Sequence, residues 1–337
     1  MIVLKHIFRI RPIALLALAL TSLAVVTAVA CGGDDDDASK ATQPAATSAA
    51  SPTTAPKAAY PVQVTDLLNR TVEIKAKPTT VVAISPTAAE LVYAAGGTIV
   101  GRSSTVAYPP EAKAAKDVGS AYKPSVETIL ALKPDLVVAD SIVQAQLKSQ
   151  LEGLGIPVVF AGADSYQKVI DSMTLMGKVF DSPAATAKLI ADINKARDDA
   201  KAALAGKKIS AIALIADQNN TLYAAKPNSY PGDIMNLLGL TNPAAGQPDA
   251  GNFPGYTAVP QEKMLEYNPD YIFTITPAPQ PVPRLSTIIP TIPPFQGLKA
   301  VTAKHVVELD DTIFLQAPGP RIGEAFKAIA KAAAATP

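Results

Sequence analysis

The side chains of this sequence that can do more than pack are mostly tyrosines and arginines. There are ten tyrosines and eight phenylalanines, no tryptophan, one cysteine and two histidines. A tyrosine offers an apolar ring with a hydroxyl at its tip, which suits a large flat or amphipathic ligand. An arginine fork suits carboxylate or catecholate oxygens. Arg102, Tyr108, Tyr122, Tyr223, Tyr230, Phe253, Tyr256, Arg284, Phe314 and Arg321 stand at the ends of apolar runs or in the loops between them and form the candidate binding set. The structural alternative is that each aromatic is a rim or core residue and that Arg321 caps a helix. Catalytic residues are not expected: there is no Ser-His-Asp set, no phosphate-cradling glycine loop and no paired-acid motif. His, Asp and Glu do not cluster as a direct metal site would need, and no cofactor is implied.

The 337 residues carry a net charge of +1, with 48% hydrophobic and 18% charged side chains. That balance argues against nucleic acid as a partner, and the length allows two domains. Lys5, Arg9 and Arg11 precede an apolar run from Ile13 to Ala30 that ends in Ala28-Val29-Ala30-Cys31-Gly32. This is the pattern of an export signal, and the cysteine stands where a lipoprotein signal would place its lipidated residue. Ala28 holds a position where leucine is usual. The alternative is an uncleaved anchor, since the run is long enough to span a bilayer. Either reading puts the remaining chain outside the cytoplasm, attached to the membrane. A body without cysteine has no disulfides. Residues 32–60, with four acids from Asp34 to Asp37 and then Ala, Ser, Thr and Pro, read as a disordered tether. Stretched out, such a segment reaches on the order of 90 Å.

Beyond Pro61, short β-branched runs alternate with helical patterns. Strands are expected at Thr80–Ile84, Ile99–Val100, Asp135–Val138 and Pro157–Phe160, then at Ile209–Ala216, Ile272–Ile275 and His305–Leu309. Helices are expected at Thr87–Ala95, Val126–Leu132, Ile142–Leu154, Gly232–Leu238, Gln261–Tyr267 and Ile322–Ala334. Strand-helix alternation implies βαβ units and a mostly parallel sheet. Asp181-Ser182-Pro183 reads as a helix start, with apolar residues at helical spacing through Leu204. That helix would span about 34 Å, a rigid strut allowing only limited opening. Two proline-rich or glycine-rich stretches, Asn242–Pro260 and Pro277–Pro294, read as cleft-edge loops, the second extended and semi-rigid.

One internal echo ties the halves together. Glu127, Leu130, Pro134 and Asp135 recur at the same spacing as Glu262, Leu265, Pro269 and Asp270. In each copy a helix ends before the proline, Pro-Asp makes the turn and a buried strand follows. Ser125 is the expected N-cap of the first helix. The glutamates can be read as simple partners of the helix dipole, or as equivalent acids that engage a two-fold partner twice. Glu90 is a weaker rival for that role, because Thr87 and Glu90 have capping-box spacing.

These residues resemble the iron-siderophore, haem and cobalamin substrate-binding proteins of ABC importers. The resemblance runs from about Val62 to Ala333. It is carried by Asp66–Val72, Ile84–Leu91, Tyr108–Ala112, Glu127–Ala139, Leu151–Val158, Glu262–Ile275 and Gly319-Pro320-Arg321. It implies an α/β fold of two Rossmann-like lobes with mostly parallel sheets, joined by one long α-helix, with the ligand cleft between the lobes. The matching boundaries are a signal at 1–31, the tether, a first lobe at 61–180, the connecting helix at 181–206 and a second lobe at 207–337. The resemblance further implies an extracytoplasmic, lipid-anchored monomer that delivers a metal chelate to an ABC permease dimer with its ATPase, docking through Glu127 and Glu262. Tyr108-Pro109-Pro110 is similar to a loop of cobalamin and haem members whose aromatics approach the ligand. Ala121-Tyr122 stands where cobalamin binders often have tryptophan, and Gly119-Ser120 replaces the Gly-Tyr that ligates haem iron. A chelate wrapped around its own iron needs no protein ligand, so a ferric siderophore leads, with cobalamin or haem as the alternative. An enzyme or sensor ectodomain on the same scaffold is the reading from another class.

Overall fold

The computed structural model describes residues 59–251, 253–278 and 281–334, all within one compact unit. The signal, Cys31 and nearly all of the 32–60 tether lie outside the described residues. Among the described residues no helix is long and apolar enough to cross a membrane.

The body opens with an antiparallel hairpin, β1 (Val62–Thr65) and β2 (Thr71–Ile74). Buried Asp66 accepts the backbone N–H groups of Leu68 and Arg70, and Arg70 lays its guanidinium 4.6 Å over the ring of Phe160. There follow β3 (Val81–Ala83), α1 (Pro86–Ala94), β4 (Ile99–Arg102), β5 (Lys116–Asp117) and a small hairpin of β6 (Gly119–Ser120) and β7 (Lys123–Pro124). Next come α2 (Val126–Ala131), β8 (Leu136–Asp140), α3 (Lys148–Glu152), β9 (Val158–Ala161) and α4 (Tyr166–Val179). The first sheet has the order β5-β4-β3-β8-β9, parallel throughout.

The strut is α5 (Pro183–Ala203), starting at Ser182 as the sequence predicts. Its i,i+4 pairs Lys188–Asp192 and Lys195–Asp199 lie on the exposed face. After it come β10 (Ala211–Ala216), β11 (Leu222–Ala225), α6 (Tyr230–Leu237), β12 (Tyr256–Ala258), α7 (Gln261–Tyr267) and β13 (Tyr271–Ile275). The chain closes with α8 (Leu285–Ile288), α9 (Lys299–Thr302), β14 (Val306–Leu309) and α10 (Ile322–Ala334). The second sheet has the order β12-β11-β10-β13-β14. Here β10 pairs in parallel with β13, and β13 with β14, whereas β11 pairs antiparallel with both β10 and β12. The fold is thus two α/β lobes, one sheet wholly parallel and one mixed.

Strand alternation explains how the lobes are joined. Val82, Ile84, Val137 and Ala139 point to a private outer core of the first sheet, and Ile212, Leu214 and Ile272 to that of the second. Their neighbours Val81, Ala83, Leu136 and Val138, with Ala211, Ala213, Tyr271 and Phe273, share one core with α1, α4, α5, α6 and α10. The close approach of α4 to α5 needs Gly177, because a Cβ there would overlap Thr186 Oγ1. The joint is therefore a layer of helices from both lobes, broader than the single strut read from sequence.

Several local expectations change. Ile142–Leu154 is not one helix: a 3-10 turn at Ala145–Leu147 leads into the short α3. The proline-rich stretch holds α8 and two 3-10 turns, Ile289–Thr291 and Pro293–Phe295, with Pro290 and Pro293 in the first two positions of those turns, where the fixed φ fits and no N–H is needed. The 242–260 stretch contains the edge strand β12. Glu90 is no capping-box partner: Ser85 is the N-cap of α1, accepting from Ala88 N–H at 3.0 Å. Ser125 caps α2 as expected, accepting from Thr128 N–H.

Candidate ligand-binding cleft

Parallel strands deliver their following loops to one end of a sheet, and ligands of such folds sit outside those carboxyl ends where the strand order reverses. That point lies between β3 and β8 in the first sheet and between β10 and β13 in the second. The loops of the two lobes meet there. A methyl group on Gly319, in the segment after β14, would lie 3.7 Å from Thr87 Cγ2 at the start of α1.

Arg321, just before α10, reaches across to Glu90 of α1. Its Nε donates to both carboxylate oxygens at 3.0 Å and its Nη2 to Oε1 at 2.6 Å. The ring of Tyr108 covers the same guanidinium at 4.4 Å. Glu90 is only 4% exposed; burial raises its carboxyl above the ordinary range, and the bond and charge of Arg321 oppose that rise. A cavity of about 390 Å³ opens beside this trio, with walls from α1, α5, α10 and the Tyr108-Pro109 loop. Elsewhere along the seam, Asp233 of α6 accepts the backbone N–H of Tyr166 at 2.7 Å. Burial raises both Asp233 and Asp140, and the charge of Asp164 adds to each.

The structure brings Tyr108 and Arg321 together, and also Tyr223 and Phe253, whose rings lie 5.1 Å apart. The Tyr223 hydroxyl donates to Asp217 at 3.3 Å. Backbone N–H bonds, led by that of Thr221, lower Asp217, while burial and then the Asp217 charge raise Tyr223. Tyr122 stands on the β6–β7 turn, 70% exposed. Arg102 donates to the carbonyls of Ser103 and Ser104 and lies 3.7 Å from Asp117. Arg284 donates to the carbonyls of Thr276 and Ala278. Tyr256 is half-buried, and burial pushes its hydroxyl up to about 12. Tyr230 and Phe314 are enclosed in the shared core, and burial raises the Tyr230 hydroxyl as well. Glu127 and Glu262 are both exposed in the first turns of α2 and α7. His305 stacks on Tyr271 with ring centroids 4.2 Å apart.

Sequence reasoning missed Gln144. Wholly buried, its Nε2 donates to the carbonyls of Ile84 at 2.5 Å and Ala121 at 2.8 Å, while its Oε1 accepts Asp140 N–H at 2.7 Å. One amide thus ties together the loops after β3 and β8 and the β6–β7 turn. A glutamine four residues past a buried aspartate was the only local sign.

Two α/β lobes with a cleft at their facing loops define a two-lobed binding protein. A periplasmic binding protein family model matches residues 81–313, and the chain belongs to that family. The chain is 27% identical over 282 residues to a cobalamin-binding protein of Halobacterium salinarum, covering 81% of this chain and 74% of that protein. A probable siderophore-binding lipoprotein of Bacillus subtilis is 30% identical over 136 residues, covering 39% of this chain and 40% of that one. Among solved structures, an ABC transporter substrate-binding protein from Listeria monocytogenes superposes with a TM-score of 0.65 at 25% identity, covering 76% of this chain and 98% of that chain.

Proposed function

We propose that this chain is the substrate-binding component of an ABC importer and captures a large metal chelate, a ferric siderophore in the leading reading. The observation that carries this is the Tyr108–Arg321–Glu90 set, which joins the two lobes beside a cavity walled by α1, α5, α10 and the Tyr108-Pro109 loop. About 390 Å³ holds only part of such a ligand, so the remainder would lie in the open cleft against exposed Tyr122. Cobalamin is the second reading, supported by the Halobacterium relative. Haem would need an iron ligand other than His305, which is stacked on Tyr271. Cys31 would carry the lipid, 32–60 the leash, and 61–180, 181–206 and 207–337 the first lobe, strut and second lobe of a monomer. Exposed Glu127 and Glu262 would dock on the permease dimer that its ATPase drives. No arrangement of side chains described above favours catalysis.

The test is a thermal-shift panel on the body from Tyr60, with ferric hydroxamates, ferric catecholates, cobalamin and haem. A ligand at a hundred times its dissociation constant should stabilise by about 2.7 kcal/mol. A shift with none of them would sink the chelate reading.

A further inference from the structure

The amino ends of the strands, opposite the cleft, carry lysine on both lobes. In the first lobe exposed Lys75 and Lys77 precede β3, Lys133 precedes β8 and Lys178 stands in the last turn of α4. In the second, exposed Lys207 and Lys208 precede β10, and Lys299 and Lys304 precede β14. Lys207, Lys208 and Lys299 line a recess of about 380 Å³ with Asp270 and His305. Lys207 also donates to the carbonyl of Ala334 at 3.0 Å, and the excess of positive charge stands without it. The acids at this end are fewer and mostly engaged. Asp135 and Asp270 accept backbone N–H groups, and Asp270 lies 3.9 Å from Lys299. Glu152 is paired with Arg70, Glu266 with Lys263, Asp198 with Arg197 and Asp199 with Lys195. Glu73 and Asp181 stand exposed.

The chain enters the body at this same end. Helix α4 runs back from the carboxyl end of β9, and the Tyr60 hydroxyl donates to the carbonyl of Val179, its last residue, at 2.7 Å. The segment before Tyr60 therefore joins the body next to Lys178, and Lys75 directly follows Ile74, which pairs with Val62. Glu127 and Glu262 belong to the other side, at the first turns of the helices that lead back to β8 and β13.

Resting on the lipid-anchor reading above, we propose that this lysine-bearing end lies on the anionic head groups of the membrane that holds the anchor. Charge at a bilayer surface attracts lysines within a Debye length of it, and a tether that leaves from this end keeps it within reach. The cleft then opens away from the membrane to receive ligand, and the body turns over on its leash to dock on the permease.

The test is flotation of the chain from Gly32, which carries the whole body and no lipid, with vesicles of phosphatidylcholine alone or mixed with phosphatidylglycerol. Binding should be at least about tenfold tighter with phosphatidylglycerol and should weaken with salt. Lys208→Gln, Lys299→Gln and Lys304→Gln, all at exposed positions, should each lower it about fivefold. Because the chain from Gly32 has no cysteine, a single dye at Ala303→Cys or Tyr122→Cys reports orientation. A head-group quencher should dim the first and spare the second. Equal binding to the two kinds of vesicle, lysine variants that bind like the unaltered chain, or stronger quenching at Tyr122→Cys overturns the proposal. Self-association that the lysine variants abolish, without vesicle binding, overturns it in favour of a second copy on this face. Cys31→Ala tests the anchor separately: protein that keeps to the membrane fraction of cells after that change overturns the anchor reading, while the vesicle result still decides the head-group contact.

Discussion

In the first lobe the Asp135 carboxylate accepts the N–H groups of Thr79 and Thr80, at 2.8 and 3.1 Å, and pins the entry to β3 beside β8. In the second, Asp270 accepts the N–H of Ser210 at 2.9 Å and pins the entry to β10 beside β13. Each clasp follows a residue in the left-handed region, Lys133 at φ 46° and Asn268 at φ 37°. Each of the preceding helices exposes a glutamate and, one turn on, a leucine: Leu130 at 44% and Leu265 at 45%. Here the lobes are near copies. At the carboxyl ends they part company. The first sheet reaches β4 by a helical crossover and stays parallel, while the second turns back at once through the β10–β11 hairpin. A surface offered twice to a two-fold partner can stay duplicated, whereas a single asymmetric ligand is best held by two unlike walls.

The largest effect should come from the duplicated surface. If both lobes dock, the Glu127→Ala, Glu262→Ala double variant should lose cellular uptake, each charged contact costing about 2 kcal/mol or more, with ligand affinity of the soluble body intact. Full uptake would break the comparison at its most functional point. The two clasps should differ in strength, because Asp135 also accepts the Thr79 hydroxyl, at 3.0 Å. Asp135→Ala should therefore cost roughly 2–3 kcal/mol of stability and Asp270→Ala about 1–2, read from urea midpoints. Equal losses would mean that the extra bonds of the first clasp carry nothing. The smallest effect lies at the left-handed residues. Lys133→Asn should raise stability by about 0.5–1 kcal/mol, since asparagine tolerates that backbone better than lysine, and Asn268→Lys should lower it by somewhat more, because it also loses the bond that Asn268 Oδ1 accepts from Lys299 N–H at 2.9 Å.

These parallels were legible before any coordinates, because Glu, Leu, Pro and Asp at fixed spacing carry local rules for helix, stop, turn and strand. The strut and α10 were legible for the same reason, their apolar stripes being long. The helix α4 went unread although it supplies Val169, Met173 and Met176 to the shared core. Its stripe is interrupted by Ser172, which turns inward to bond both backbone groups of Gly162. Strands β11 and β12 were hidden because their alternation spans only four and three residues. The site itself was half legible. Tyr108 and Arg321 stood out by type, but Arg321 and Glu90 are 231 residues apart, and no local pattern joins them. Only the meeting of α1 with the segment before α10 makes them a pair.

The helical layer shared by the lobes has a consequence for the rate of capture. Where one core runs through both lobes, they can tilt only as far as packed side chains can slide. Empty and loaded forms then differ little in overall shape, so ligand entry is governed by diffusion to an open mouth rather than by the closing of a trap. A transporter meeting this protein would have to sense the cargo at the rim of the cleft, because the body behind it looks the same in either state.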